Sequence, residues 1–228
     1  MEIIKKGLDI LLHLNDYLKD WVGEYGIWIY AILFLIIFVE TGLVVMPLLP
    51  GDSLLFAAGA LAASEGSLNI AILIPLLILA ALLGDNTNYF IGKFFGNLIK
   101  SKEKLLFLKK KHIEKTEAYY AKYGGKTVII ARFVPIVRTV APFVAGAGSM
   151  LYKKYIINCV LGAILWVGGV TTLGFLLGKN AFIQKNFELV IFAIIGFSLL
   201  PIIIEFIRAK MGKKDPVIET IKQVDKEV

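Results

Sequence analysis

The stretch that most constrains this chain is Ala131 to Met150, ARFVPIVRTVAPFVAGAGSM. It is apolar enough to enter a bilayer, yet it carries Arg132 and Arg138, Pro135 and Pro142, and the glycines Gly146 and Gly148. Arginine at the centre of a spanning helix costs about 2.5 to 3.5 kcal/mol on insertion scales, so it persists where it faces protein, water or a partner charge. Proline removes backbone donors, and broken backbone at membrane depth survives only where it is buried in protein or lines a cavity. The stretch therefore reads as a re-entrant hairpin that presents two cations inside the membrane.

The rest of the chain fits a polytopic membrane protein. Apolar residues make up 57% of its 228 positions and fall in blocks too long for soluble helices. The formal charge of +7 is unevenly placed, because Lys93 to Lys126 holds ten Lys against three acids. Such an excess marks a cytoplasmic loop, and its intramembrane flanks argue against nucleic acid as its partner. Its lysines can also attract anionic headgroups, but setting topology is the simpler role. The first residues lack a signal-peptide layout: Asp9, Asp16 and Asp20 interrupt the apolar positions and no cleavage site follows. Ile4, Leu8, Leu11, Leu14 and Leu18 recur at helical spacing, which predicts an amphipathic helix lying at the interface.

Ile27 to Ala63 begins like a span and then meets Glu40, Pro47, Pro50, Gly51 and Asp52 before turning apolar again. This is an acidic counterpart of the arginine hairpin. Two runs read as full spans: the one from Asn69 that ends in Gly92 and Gly96, and the one from Tyr155 that ends in Gly174 and Gly178. Each closes on glycines spaced for close helix packing, which permits a homodimer as readily as internal contacts. The reading divides the chain into an interfacial helix (1–26), an acidic hairpin (27–63), a span (69–96), a basic cytoplasmic helix or loop (97–126), an arginine hairpin (127–150), a span (155–178), a C-terminal span (187–207) and a cytoplasmic tail (208–228). The hairpin exits rhyme, FAAGA at Phe56 to Ala60 and FVAGA at Phe143 to Ala147. With the basic loop and the tail both cytoplasmic, the halves are inverted and the hairpins face each other. The fold expected is all-α, with about three spans and two opposed re-entrant hairpins. The competing topology makes Ile27 to Val45 a full span with the N-terminus inside.

RFVPIVRTVAPFVAG, the upstream ETG and PGD, and GDNTNYFIGKFFG together resemble the DedA family, the bacterial branch of the SNARE-associated or VTT-domain proteins. The resemblance covers roughly residues 25 to 180 and departs from the pattern only in the Lys-rich middle loop. It implies a bacterial cytoplasmic-membrane protein linked to undecaprenyl phosphate translocation and proton-dependent membrane homeostasis; eukaryotic relatives are linked to phospholipid scrambling. It also implies that Glu40, Asp52, Arg132 and Arg138 carry the activity.

The residue chemistry points to the same kind of substrate. Each guanidinium is a planar fork that matches a phosphate, so Arg132 and Arg138 are expected to bind a lipid phosphomonoester. Glu40 and Asp52 are expected to couple protons by competing for those arginines, since desolvation and a nearby guanidinium move a carboxyl's affinity for protons in opposite directions. Pro50, Gly51, Asp85, Tyr89, Pro135, Pro142 and Gly146 are expected as secondary lining. For Asp85 and Tyr89 the plainer expectation is a wetted helix end at the cytoplasmic interface; for Asn158 it is a hydrogen bond between helices. The four charges also fit buried ion pairs that hold the hairpins together. An enzyme is disfavoured: His13 and His112 stand outside the charge cluster, Cys159 is alone, and GGKT at Gly124 lacks the glycine its motif needs. No metal or other cofactor is implied. A proton-coupled cation or drug antiporter is the remaining class, against which the arginine pair argues.

Overall fold

The computed structural model describes residues 14–42, 51–63, 68–100, 104–105, 108–109, 120, 125–133, 135–148, 150–187, 189–190, 192–194 and 196. Among these the chain is helical apart from a two-residue antiparallel ladder, Lys104–Leu105 on Leu108–Lys109, in the basic loop. His13, His112, Pro47, Pro50, most of the basic loop, most of the 187–207 span and the 208–228 tail lie outside the described residues.

Helix α1 (Leu14–Tyr25) stops at Gly26, whose φ of 52° is the left-handed turn that glycine adopts without strain. The chain then enters α2 (Trp28–Gly42). After α3 (Gly51–Ala62), Asn69 caps α4 (Ile70–Lys100) by accepting the Ala71 N–H at 2.9 Å. Tyr30 fixes this entry from α2, its hydroxyl accepting the Asn69 N–H at 2.7 Å. The second half contains α5 (Lys126–Ala131), α6 (Pro135–Ala147) and α7 (Tyr152–Ala163). A π-helical turn, Ile164–Gly168, joins α7 to α8 (Gly169–Gly178), and a short α9 (Ala181–Lys185) follows.

Two stretches are long and apolar enough to cross a bilayer, Ile70–Phe95 and Tyr152–Gly178. At 26 and 27 residues they reach roughly 40 Å, beyond the ~30 Å hydrocarbon layer. Helices α2, α3 and α6 have 15, 12 and 13 residues and reach only about 18 to 23 Å. Leu79, Leu83, Phe94, Leu161, Leu173 and Leu176 are exposed on the two long helices. An apolar face of that extent suits lipid rather than water.

Each short exit helix packs on the long helix of the other half, backbone to backbone. On α3 and α8, a Cβ at Gly59 would run into the Thr171 carbonyl, and one at Gly174 into the Phe56 carbonyl. On α6 and α4, a Cβ at Gly146 would run into the Tyr89 carbonyl, and one at Gly92 into the Phe143 carbonyl. The Phe-x-x-Gly rhyme of the exits thus meets the same contact twice. Gly178 packs likewise on Ala60. The glycines Gly92, Gly174 and Gly178, offered by spacing for either a dimer or internal packing, are taken up inside the chain. Helix α3 is buried from Ser53 to Ala62, with Leu55, Ala57 and Ala58 at the centre of the largest core, which also holds Ile29, Leu33, Ile37, Leu73, Leu77, Trp166 and Val167.

Candidate functional site

The site begins where α2 crosses α4. A Cβ on Gly42 would stand 3.2 Å from the Gly84 α-carbon, and one on Gly84 would overlap the Thr41 hydroxyl. This close crossing brings Glu40, which is 1% exposed, onto the same cavity as Asp85. Glu40 also faces the start of α3, its carboxylate occupying the space a Cβ on Gly51 would need. A helix N-terminus is a favourable place for carboxylates, and Asp52 is the second residue of that helix. Helix α6 delivers Arg138 to both acids: Nη2 donates to Glu40 Oε1 at 2.5 Å and Nη1 to Asp52 Oδ1 at 2.8 Å. One guanidinium fork is stretched across two carboxylates from the other half of the chain.

Arg132 follows α5 and makes a different pair. Its Nη2 is ion-paired to Asp85 and points to the Cys159 carbonyl at 3.4 Å. Gly162 makes room for it, since a Cβ there would lie 2.9 Å from Arg132 Cδ. Arg132 and Asp85 are each 5% exposed. Asp85 is therefore no wetted helix end: the helix carrying it continues to Lys100, so Asp85 falls in mid-helix, and a cation from the other half covers it. Tyr89 is corrected in the same way. It is buried, stacks on Tyr155 with ring centroids 4.4 Å apart, and donates to the Met150 carbonyl at 2.6 Å. Tyr155 in turn donates to the Asp85 carbonyl at 2.9 Å. Asn158, expected to bridge helices, donates instead to Lys154 one turn back on its own helix, at 2.7 Å.

The remaining expected residues divide. Gly51 touches Glu40 directly, whereas Gly146 serves the packing of α6 on α4. Pro135 is the first residue of α6, a position that needs no backbone donor, and Pro142 is buried within that helix. Pro50 lies outside the described residues.

Trp166, on the π-helical turn, belongs to the site and was not singled out from sequence. Its Nε1 donates to Asp52 Oδ1 at 2.7 Å, and its ring centroid lies 5.0 Å from Arg138 Cζ and 5.9 Å from Arg132 Cζ. The available signal was its position: tryptophan favours the ends of a span, and this one stands near the middle. Asn88 ties α4 to α6 by donating to the Thr139 carbonyl at 2.7 Å. Together Glu40, Thr41, Asp85, Arg132, Arg138, Thr139 and Trp166 enclose a cavity of about 10 Å³. That is the lower limit for one water molecule. Among the described residues no group of His, Cys, Asp and Glu is arranged to hold a metal.

The VTT domain family matches residues 49–176, which includes Asp52, Asp85, both arginines and Trp166. The chain is 49% identical over 211 residues to Protein DedA of Escherichia coli (strain K12), covering 92% of this chain and 96% of that one. It is 41% identical over 199 residues to an uncharacterized membrane protein of Mycobacterium tuberculosis (strain ATCC 25618 / H37Rv), covering 86% and 87%. Inner membrane protein YqjA of Escherichia coli (strain K12) is 34% identical over 157 residues, covering 69% and 71%. No solved structure matches. With a VTT domain match over residues 49–176 and an alignment covering 96% of the Escherichia coli DedA protein, the chain belongs to the DedA family of membrane proteins.

Proposed function

We propose that this chain is a multi-pass transporter of the bacterial cytoplasmic membrane that carries the phosphate head of a lipid phosphomonoester, undecaprenyl phosphate, across the bilayer while the polyprenyl tail stays in lipid. The observation that carries the reading is the Arg138 fork held by Glu40 and Asp52 in a cluster with almost no free volume. A phosphate matches that fork bidentately, and it enters only by displacing a carboxylate. The arrangement then supplies its own release step, because the carboxylates return when the headgroup leaves.

Charge balance supports the proton link. Glu40, Asp52 and Asp85 face Arg132 and Arg138, so the ionised cluster carries one negative charge more than it neutralises. A phosphomonoester adds about 1.5 to 2 negative charges near neutral pH. In a water-poor site that excess is costly, and proton uptake by a displaced carboxylate relieves it. Arg138 is the arginine contested by the acids of the first hairpin; Arg132, on Asp85, is a second anchor for the headgroup.

The short helices α2, α3 and α6 support the re-entrant reading of both hairpins, and the repeated glycine contacts support the inverted repeat. The inner-membrane name of one relative supports the location. The excess carboxylate is the one observation that favours a second reading, a proton-coupled antiporter of cations.

Purified protein in proteoliposomes decides between them, with transbilayer movement of undecaprenyl phosphate followed beside a phosphatidylethanolamine probe. Movement of the polyprenyl phosphate alone, abolished by Arg138→Ala, is the expected result. Equal movement of both lipids makes the chain a scramblase. No movement of either by folded protein, with proton-driven cation flux that survives Arg138→Ala, makes it an antiporter.

A further inference from the structure

We propose that Trp166 is a positioning residue of this site, holding Asp52 at the moment Arg138 is taken from it. The inference rests on the phosphate reading given above and adds a residue and a role to it.

The argument starts from what happens to a carboxylate that loses its cation. Breaking a buried ion pair is expensive chiefly because one charge remains buried and unpaired. When a phosphate takes the Arg138 fork, Glu40 and Asp52 both face that loss. Asp52 has a partner that stays: the same Oδ1 that accepts from Arg138 Nη1 also accepts from Trp166 Nε1 at 2.7 Å. Indole is a donor only, and it neither titrates nor binds phosphate as a cation would. It can therefore keep Asp52 while leaving the headgroup to the guanidiniums.

The ring serves the other side of the exchange. Its centroid lies within cation–π range of Arg138 and, more distantly, of Arg132. A π face stabilises guanidiniums in a dry cavity without consuming the donors that a phosphate needs. Trp166 reaches both groups because it sits on the π-helical turn, an irregularity that is frequent at functional positions. Among the described residues Asp52 shares Arg138, from α6, with Glu40, from α2, and Arg132, paired to Asp85, also reaches the indole. Helix α1, which packs on α3 as well, carries Asp20 and Glu24 as exposed residues.

The test is calorimetric binding of farnesyl phosphate to the full chain in detergent, at pH 8. The proteins are wild type, Arg138→Ala, Trp166→Phe, Asp52→Asn, and Asp52→Asn with Trp166→Phe. Phenylalanine keeps a ring face and removes the N–H. At pH 8 Trp166→Phe is expected to weaken binding about tenfold relative to wild type, the scale of a hydrogen bond to a charged group. The deficit relative to wild type should depend on the Asp52 carboxylate. It should vanish in the Asp52→Asn background. Equal weakening in both backgrounds would make Trp166 a packing residue and overturn the inference alone, as would no weakening at all. Binding that does not depend on Arg138, or no binding by wild type, would overturn the phosphate reading and this inference with it. An independent measurement leaves Trp166 intact. In a Trp21→Phe, Trp28→Phe chain it is the sole indole, and its emission should shift along the farnesyl phosphate binding curve. An emission that stays constant through saturation refutes a role at the site.

Discussion

Replacing Asp85 with alanine removes the carboxylate paired with Arg132 and strands a guanidinium that is 5% exposed. Around it remain the Cys159 carbonyl and thiol at 3.4 Å and the Trp166 face at 5.9 Å, none of which carries compensating charge. Losing one partner of a buried pair costs about 3 to 5 kcal/mol. For a chain of this size each kcal/mol moves a melting midpoint by roughly 2 to 4 °C, so Asp85→Ala should melt about 6 to 20 °C below wild type in detergent. Asp52→Ala is the comparison that uses the structure. Arg138 keeps Glu40 when Asp52 is lost, and the main damage is the Trp166 N–H left without its acceptor, about 1 to 3 kcal/mol. Asp85→Ala should therefore be clearly the more destabilised of the two. Asp85→Ala combined with Arg132→Met should recover most of the loss, because an apolar pair leaves nothing to satisfy. The assay is thermal unfolding of the purified chain followed by circular dichroism. An Asp85→Ala protein that melts level with or above Asp52→Ala, or a double variant no better than the single, would refute the assignment of Arg132 to Asp85.

Gly174→Leu should prevent recovery of a monodisperse folded protein, since its side chain enters the Phe56 backbone, while Gly168→Ala meets nothing within 4 Å and should be tolerated or raise the melting midpoint slightly, by up to about 1 kcal/mol of helix propensity. Asn88→Ala removes the hydrogen bond that ties α4 to the Thr139 carbonyl of α6 and should destabilise by about 0.5 to 1.5 kcal/mol, read from the same melts. Exchange of charges, Glu40→Arg with Arg138→Glu, should leave the chain folded by size-exclusion chromatography yet abolish polyprenyl phosphate transport; retained transport would mean that the pair only holds the helices together.

The charges of this site were legible because their positions violate membrane chemistry. Two arginines and two acids within apolar stretches have to meet something. The rhyme of FAAGA and FVAGA was legible too, and its meaning was packing: the same glycine meets the same kind of carbonyl in each half. Which acid pairs with which arginine was not legible. Asp85 stands at the end of an apolar run in the sequence, and a run of that kind reads as a helix reaching water. Its helix instead continues through the polar residues that follow, and a cation comes to it from the other half. Trp166 was hidden for a related reason: its mid-span position set it apart from a membrane-surface tryptophan, but nothing in the sequence says which way it points until the π-helical turn is seen. Asn158 misled in the opposite direction, because a carboxamide in a span satisfies itself on the preceding turn as readily as on a neighbour.

The docking of α3 on α8 also bears on how the protein is made. Helix α3 leaves the ribosome early, and the glycines that receive it, Gly174 and Gly178, are translated much later. Until then Gly59 has no backbone to pack on, and until α6 is made Glu40 and Asp52 have no Arg138. A nascent first half released into lipid would carry three unpaired acids, Glu40, Asp52 and Asp85, so it has to wait protonated, or wet, or in the keeping of the insertion machinery. Translation that ends before α5 and α6 leaves a fragment whose acids never find their cations. Such a fragment presents itself to quality control as unassembled, and coexpressing the missing half as a separate chain should rescue it.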